Sequence, residues 1–141
     1  MKTVLISGAN RGIGLETAKK FSQQGYRVFL GSKNYENGLR VTEELKNSGY
    51  LNIIPISLDT HDQSIIDQAF EYITQYTPSL EVLINNAEIR GQQSQSPTIL
   101  DMDNIKEIYE TNLFGTMRLT KTMIPMLRKS PDPRIVNVSR N

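Results

Sequence analysis

Apolar residues fall along this chain in short bursts separated by amphipathic stretches. Val4-Leu5-Ile6 is a brief β-branched-rich run that stops at Ser7-Gly8, the pattern of a buried strand. From Gly12 the period lengthens. Leu15, Ala18 and Phe21 recur every third residue with Lys19 and Lys20 outside, and Gly25 supplies a stop, so a helix is expected. Arg27-Val28-Phe29-Leu30 reads as a second strand, followed by a helix with Val41 and Leu45 inward that ends near Ser48-Gly49. Ile53 to Leu58 reads as a third strand. Pro55, which lacks the N–H that a central strand uses, places it at a sheet edge.

Thr60-His61-Asp62-Gln63 fits a capping box, with Thr60 as the cap and Gln63 three residues on. Ile66, Ala69, Phe70 and Ile73 form the stripe of the helix it opens. Val82-Leu83-Ile84 is a fourth strand running into Asn85-Asn86-Ala87. A polar stretch from Gly91 to Pro97 leads to a long helix expected from about Asp101 to Leu127, with Ile105, Ile108, Asn112, Thr116, Leu119 and Met123 inward. Ile135 to Val138 is a fifth strand. Strands separated by helices require parallel pairing through right-handed crossovers. The expected architecture is one α/β domain over residues 1–141, a doubly wound parallel sheet in the order 3-2-1-4-5. With no covering helix and no sixth strand after the fifth, the sheet reads as truncated there, with an open edge.

Composition narrows the chemistry. A chain of 141 residues, 38% hydrophobic and 22% charged, suits one globular domain. The net charge of +1 removes the electrostatic case for a nucleic-acid partner. No apolar run approaches the roughly 20 residues of a membrane helix, and the opening run is too short for a signal-peptide core. A cytoplasmic protein without a membrane partner is expected. Cysteine is absent and His61 is the lone histidine, which excludes disulfides, thiolate or histidine-cluster metal sites and a Ser-His-Asp triad. Hydroxyls, amides, lysines, carboxylates or a borrowed cofactor must carry any reaction. His61 is expected at an exposed helix start with no chemical role.

Gly8-Ala9-Asn10-Arg11-Gly12-Ile13-Gly14 lies where the first strand becomes the first helix. There a phosphate meets free backbone N–H groups and the positive end of a helix dipole. Gly8 permits a tight turn, Gly12 lets a pyrophosphate approach the backbone, and Gly14 lets the helix pack on the sheet. A glycine-rich turn without a ligand is the plain alternative. Asp59 has two readings as well, a turn or cap residue or a ligand contact. Asn86 and Asn112 could each be a hydrogen-bonded polar group of the core.

The spacing Gly-x-x-x-Gly-x-Gly, with Ser7 before it, resembles the cofactor motif of the short-chain dehydrogenase/reductase family, with the glycine set nearest a carbonyl-reductase-like subgroup. Asp59 resembles that family's adenine-contacting acid, and Asn85-Asn86-Ala87-Glu88 its Asn-Asn-Ala-Gly motif with Glu88 in the glycine position. Asn112 in Thr111-Asn112-Leu113 resembles the helix asparagine of its catalytic tetrad, which bends the helix and holds a relay water. Ile135-Val136-Asn137-Val138-Ser139 resembles the strand leading to its catalytic serine. The resemblance implies a Rossmann fold and hydride transfer between a nicotinamide and a small carbonyl or alcohol substrate. It assigns catalytic roles to Asn112 and Ser139. Cofactor contacts fall to Gly8, Asn10, Arg11, Gly12, Ile13 and Gly14 in the loop, Ser32 and Lys33 after the second strand, Leu58 and Asp59 after the third, and Asn86 and Ala87 after the fourth. Family members commonly pair through the long helix, so a homo-oligomer is a possible state.

Charge bears on which cofactor. NAD enzymes place an acid after the second strand for the ribose 2′-hydroxyl, whereas NADP needs cations for the 2′-phosphate. Here Ser32 and Lys33 occupy that position and Arg11 lies in the glycine loop, so NADP is expected over NAD. Two departures qualify the resemblance. The family's proton donor is a Tyr with Lys four residues later, and none of Tyr26, Tyr35, Tyr50, Tyr72, Tyr76 or Tyr109 has that partner. The family's serine is usually the second of a Ser-Ser pair, a position held here by Arg140. An inactive nucleotide-binding or interaction protein is therefore the alternative to an enzyme.

Overall fold

Residues 1–86 and 110–138 are described by a computed structural model of the chain. Strands β1 (Thr3–Ile6), β2 (Arg27–Ser32), β3 (Ile53–Ser57), β4 (Val82–Asn85) and β5 (Arg134–Asn137) form one sheet in the order β3-β2-β1-β4-β5. Every pair is parallel. Helices α1 (Gly12–Gln23), α2 (Tyr35–Asn47), α3 (Gln63–Thr74) and α4 (Thr116–Leu127) connect them. The expected strand order and parallel pairing are thus observed.

Side chains alternate across the sheet, and both faces are covered. Leu5, Phe29 and Leu83 face one way, packed under Ile66 and Ile73 of α3 and Leu119 and Met123 of α4. Val4, Ile6, Val28 and Ile84 face the other, packed with Ala18 of α1 and Val41 and Leu45 of α2. This two-sided burial is why the β1 run is apolar at every position.

Pro55 lies on the edge strand, opposite Leu30. The Val28 N–H donates to Asn52 C=O at 2.8 Å and the Leu58 N–H to Ser32 C=O at 2.9 Å. Even-numbered residues of β3 therefore bond β2, and Pro55 faces outward, where its missing N–H breaks no ladder bond.

Two expectations change. The cap of α3 is Asp62, not Thr60: its carboxylate accepts from Ser64 N–H at 2.9 Å and Ile65 N–H at 3.3 Å, and the helix starts at Gln63. Thr60 is buried in the preceding turn, and its carbonyl accepts from Arg118 at 3.1 Å. The second change concerns the long helix. Its 101–109 part, like the 91–97 stretch, lies outside the described residues, and the described part opens as a π-helical turn over Glu110–Gly115 before α4.

Candidate functional site

Parallel strands bring Ser7-Gly8, Ser32-Lys33, Leu58-Asp59 and Asn85-Asn86 to one rim of the sheet, the carboxyl ends of β1 to β4. In open α/β sheets that rim is where ligands bind.

At its centre is the glycine loop. Gly8 and Gly12 have φ of 58° and 63°, a region that side chains disfavour, and the loop turns through them into α1. The first helical bond runs from Leu15 N–H to Arg11 C=O at 3.3 Å, so the N–H groups of the first turn precede the ladder. Asn34 caps α2 and Asp62 caps α3, but Arg11, the N-cap of α1, makes no side-chain cap bond, and the first turn contains no acid. Arg11, Gly12 and Ile13 are exposed, and Asn10 is half-buried. This donor set fits a pyrophosphate.

A clasp from β4 holds the loop. The Asn86 N–H donates to Ser7 Oγ at 2.9 Å, and Asn86 Nδ2 donates to Gly8 C=O at 3.0 Å. The Ser7 hydroxyl donates onward to Ile84 C=O at 3.4 Å. Asn86 Oδ1 is buried and has no partner among the described residues, which leaves one acceptor at the rim for a bound group. Asn86 is thus structural whatever else it contacts.

On the β2 and β3 side, the Ser32 hydroxyl is buried and donates to Asn34 C=O at 2.7 Å, so it is turned into the α2 junction. Lys33 is exposed, and neither it nor Arg11 makes an ion pair with a described residue. Leu58 is a core side chain packed on Gly31, where a Cβ would stand 2.8 Å from Leu58 Cδ2. Asp59 Oδ1 accepts from His61 N–H at 3.0 Å and lies 3.2 Å from His61 Nδ1. His61, expected exposed and idle, is half-buried and engaged.

Asn112 falls within the π turn Glu110–Gly115, the kind of local helix distortion that marks functional sites. Ala87, Glu88 and Ser139 lie outside the described residues. One network escaped the sequence reading: Asn85 Nδ2 donates to Asn137 Oδ1 at 2.8 Å and Thr120 Oγ1 at 3.3 Å, tying β4 to β5 and α4. The signal was present in the two strand-end asparagines, Asn85 and Asn137, but their pairing needed the register.

The short chain dehydrogenase family pattern matches residues 2–141. The chain belongs to that family. It is 34% identical over 139 residues to a short-chain dehydrogenase of Penicillium roqueforti, covering 96% of this chain and 54% of that protein. Solved structures similar to this chain include two that hold nicotinamide cofactors. One is a variant actinorhodin polyketide ketoreductase with NADPH, with 27% identity, a TM-score of 0.87 and coverage of 98% of this chain and 52% of that one. The other is a 3-ketoacyl-(acyl-carrier-protein) reductase of Brucella melitensis with NADH, with 25% identity, a TM-score of 0.85 and coverage of 98% and 56%. The chain spans about half the length of these relatives. Among the described residues no helix is long and apolar enough to cross a membrane, and no cluster of three metal-ligating side chains occurs.

Proposed function

We propose that residues 1–141 form the nucleotide-binding domain of an NADP-dependent short-chain oxidoreductase acting on a small carbonyl or alcohol. The observation that carries this reading is the uncapped, acid-free start of α1 behind two positive-φ glycines, flanked by the exposed cations Arg11 and Lys33. A bound nicotinamide dinucleotide supplies or accepts the hydride. In this reading the loop N–H groups hold the pyrophosphate, and Arg11 and Lys33 hold the 2′-phosphate. The Asp59 carboxylate accepts the amino group of the base. The described Ser32 hydroxyl contributes through the loop it stabilises, since it bonds Asn34. Asn112 holds the relay water, and Ser139 orients the substrate oxygen. The protein acts in the cytoplasm.

The second reading is an inactive nucleotide-binding or interaction protein; within residues 1–141 no tyrosine has lysine four residues on, and these residues span about half the length of the relatives, so both readings share the same cofactor motifs. The experiment that tests the cofactor reading follows NADPH binding, and NADPH absorbance against aldehydes, ketones and quinones, with the 141-residue chain. Loss of general acid catalysis costs about 10²–10⁴-fold in rate. Binding of NADPH with turnover depressed by at least that factor is expected of this chain. Turnover equal to an intact reductase would show that another group moves the proton, and no binding at all would overturn the cofactor reading.

A further inference from the structure

We propose that His61 is a positioning residue that fixes Asp59 for recognition of an amino-substituted nucleotide base. The inference rests on the reading of Asp59 as the base-contacting acid and deepens it. Asp59 leaves β3 one residue after Leu58 makes the last bond to β2. Its Oδ1 is engaged twice, by the His61 N–H at 3.0 Å and by the His61 ring at 3.2 Å, with Nδ1 protonated as the donor. A plain turn needs only the backbone contact. The ring contact is additional, and it holds the carboxylate against rotation.

Asp59 Oδ2 has no partner among the described residues, and the side chain keeps 31% of its surface accessible. A carboxylate with one oxygen tied and the other open offers a single acceptor in a set direction. An exocyclic amino group satisfies it. A carbonyl in the same place sets two acceptors face to face and leaves both unsatisfied.

The anchor of the imidazole is itself braced. The Asp62 N–H donates to Asp59 C=O at 3.0 Å, closing the turn around His61. Arg118 of α4 donates to Thr60 C=O at 3.1 Å, Asp62 caps α3, and Gln63 Nε2 bonds Thr122 Oγ1 of α4 at 2.9 Å. The His61 backbone is thus held from both α3 and α4.

The test measures affinity of the full chain for NADPH and for its hypoxanthine counterpart, in which oxygen replaces the base amino group, by fluorescence titration. The ratio of the two affinities is the readout, because a general loss of structure lowers both and leaves the ratio alone. Wild type should favour the amino form by roughly tenfold, the worth of one hydrogen bond to a charged group. Asp59→Asn should bring the ratio to about one, His61→Ala should lower it roughly threefold, and His61→Gln, which keeps a donor, should restore it. An unchanged ratio in His61→Ala, or equal losses for both nucleotides, overturns the role of His61 alone. An unchanged ratio in Asp59→Asn, or no binding of either nucleotide, overturns the reading of Asp59 and this inference with it.

Discussion

Asn86 and Gly14 meet more closely than any side chain at position 14 would permit. A Cβ on Gly14 would stand 2.5 Å from Asn86 Nδ2, 2.7 Å from the Gly8 carbonyl oxygen and 2.9 Å from Ala9 Cα. The same Asn86 Nδ2 holds the Gly8 carbonyl at 3.0 Å, so α1, the glycine loop and β4 share one tightly filled volume.

Gly14→Ala should therefore destabilise the fold by about 1–3 kcal/mol, the usual cost of overpacking, because two of the three obstructing atoms are backbone. Asn86→Ala removes the third. The double variant should be less destabilised than the two single losses added together. Denaturant midpoints of the three variants check this, and strict additivity would contradict the shared contact.

Gly12→Val should abolish nucleotide binding by placing a branched side chain on the pyrophosphate path. It should lower stability as well. Gly12 has φ of 63°, where a β-branched residue is strained by roughly 1–2 kcal/mol. Gly12→Ala, strained as well but less bulky, should lower the melting temperature less. NADPH titration beside thermal melts reads both effects, and retained binding in Gly12→Val would make the loop structural only.

Lys33→Ala should weaken NADPH roughly tenfold and NADH little, since only NADPH carries the 2′-phosphate. Arg11→Ala should act in the same direction. Calorimetric titration of both cofactors decides, and equal losses would remove these residues from the 2′-phosphate site.

Tyr72 should ionise late, its phenol pushed up from 10.0 to about 12. Its hydrogen bond with the Tyr76 hydroxyl is the main cause, with burial and the charges of Tyr76 and Tyr35 adding to it. A raised value means the native state holds this proton more tightly than the unfolded chain. The contribution to stability is present below pH 10 and is lost as pH rises through about 12. Because the side chain is partly exposed, the effect on stability is small. Ultraviolet titration of phenolate should show a late-ionising group, and Tyr76→Phe should bring Tyr72 down toward its ordinary value.

The strand order was legible because each apolar run is short and each helix stripe is clear, as with Ile66, Ala69 and Ile73. Pro55 marked its edge position through a missing donor, a local property visible in one letter. The cap of α3 was misread because Thr60 and Asp62 both suit the role, and only the path of the chain shows that Thr60 is buried under Arg118. The glycine loop was legible through spacing, whereas its clasp by Asn86 was not, since that bond joins residues 78 apart. The His61 contact was hidden for the opposite reason. It is only two residues long, and sequence does not reveal the rotamer that closes it.

Pro55 also gives the sheet a direction of growth. A foreign strand arriving at β3 would find outward donors at Ile53 and Ser57, about 13 Å apart at ordinary strand rise, with a gap between them. Zippering fails at its second rung. At the opposite end β5 has exposed apolar residues, with Ile135 45% and Val136 44% accessible, and no proline among Arg134–Asn137. Among the described strands β5 is the edge that leaves pairing unobstructed, and a single proline placed there should block a strand added to it.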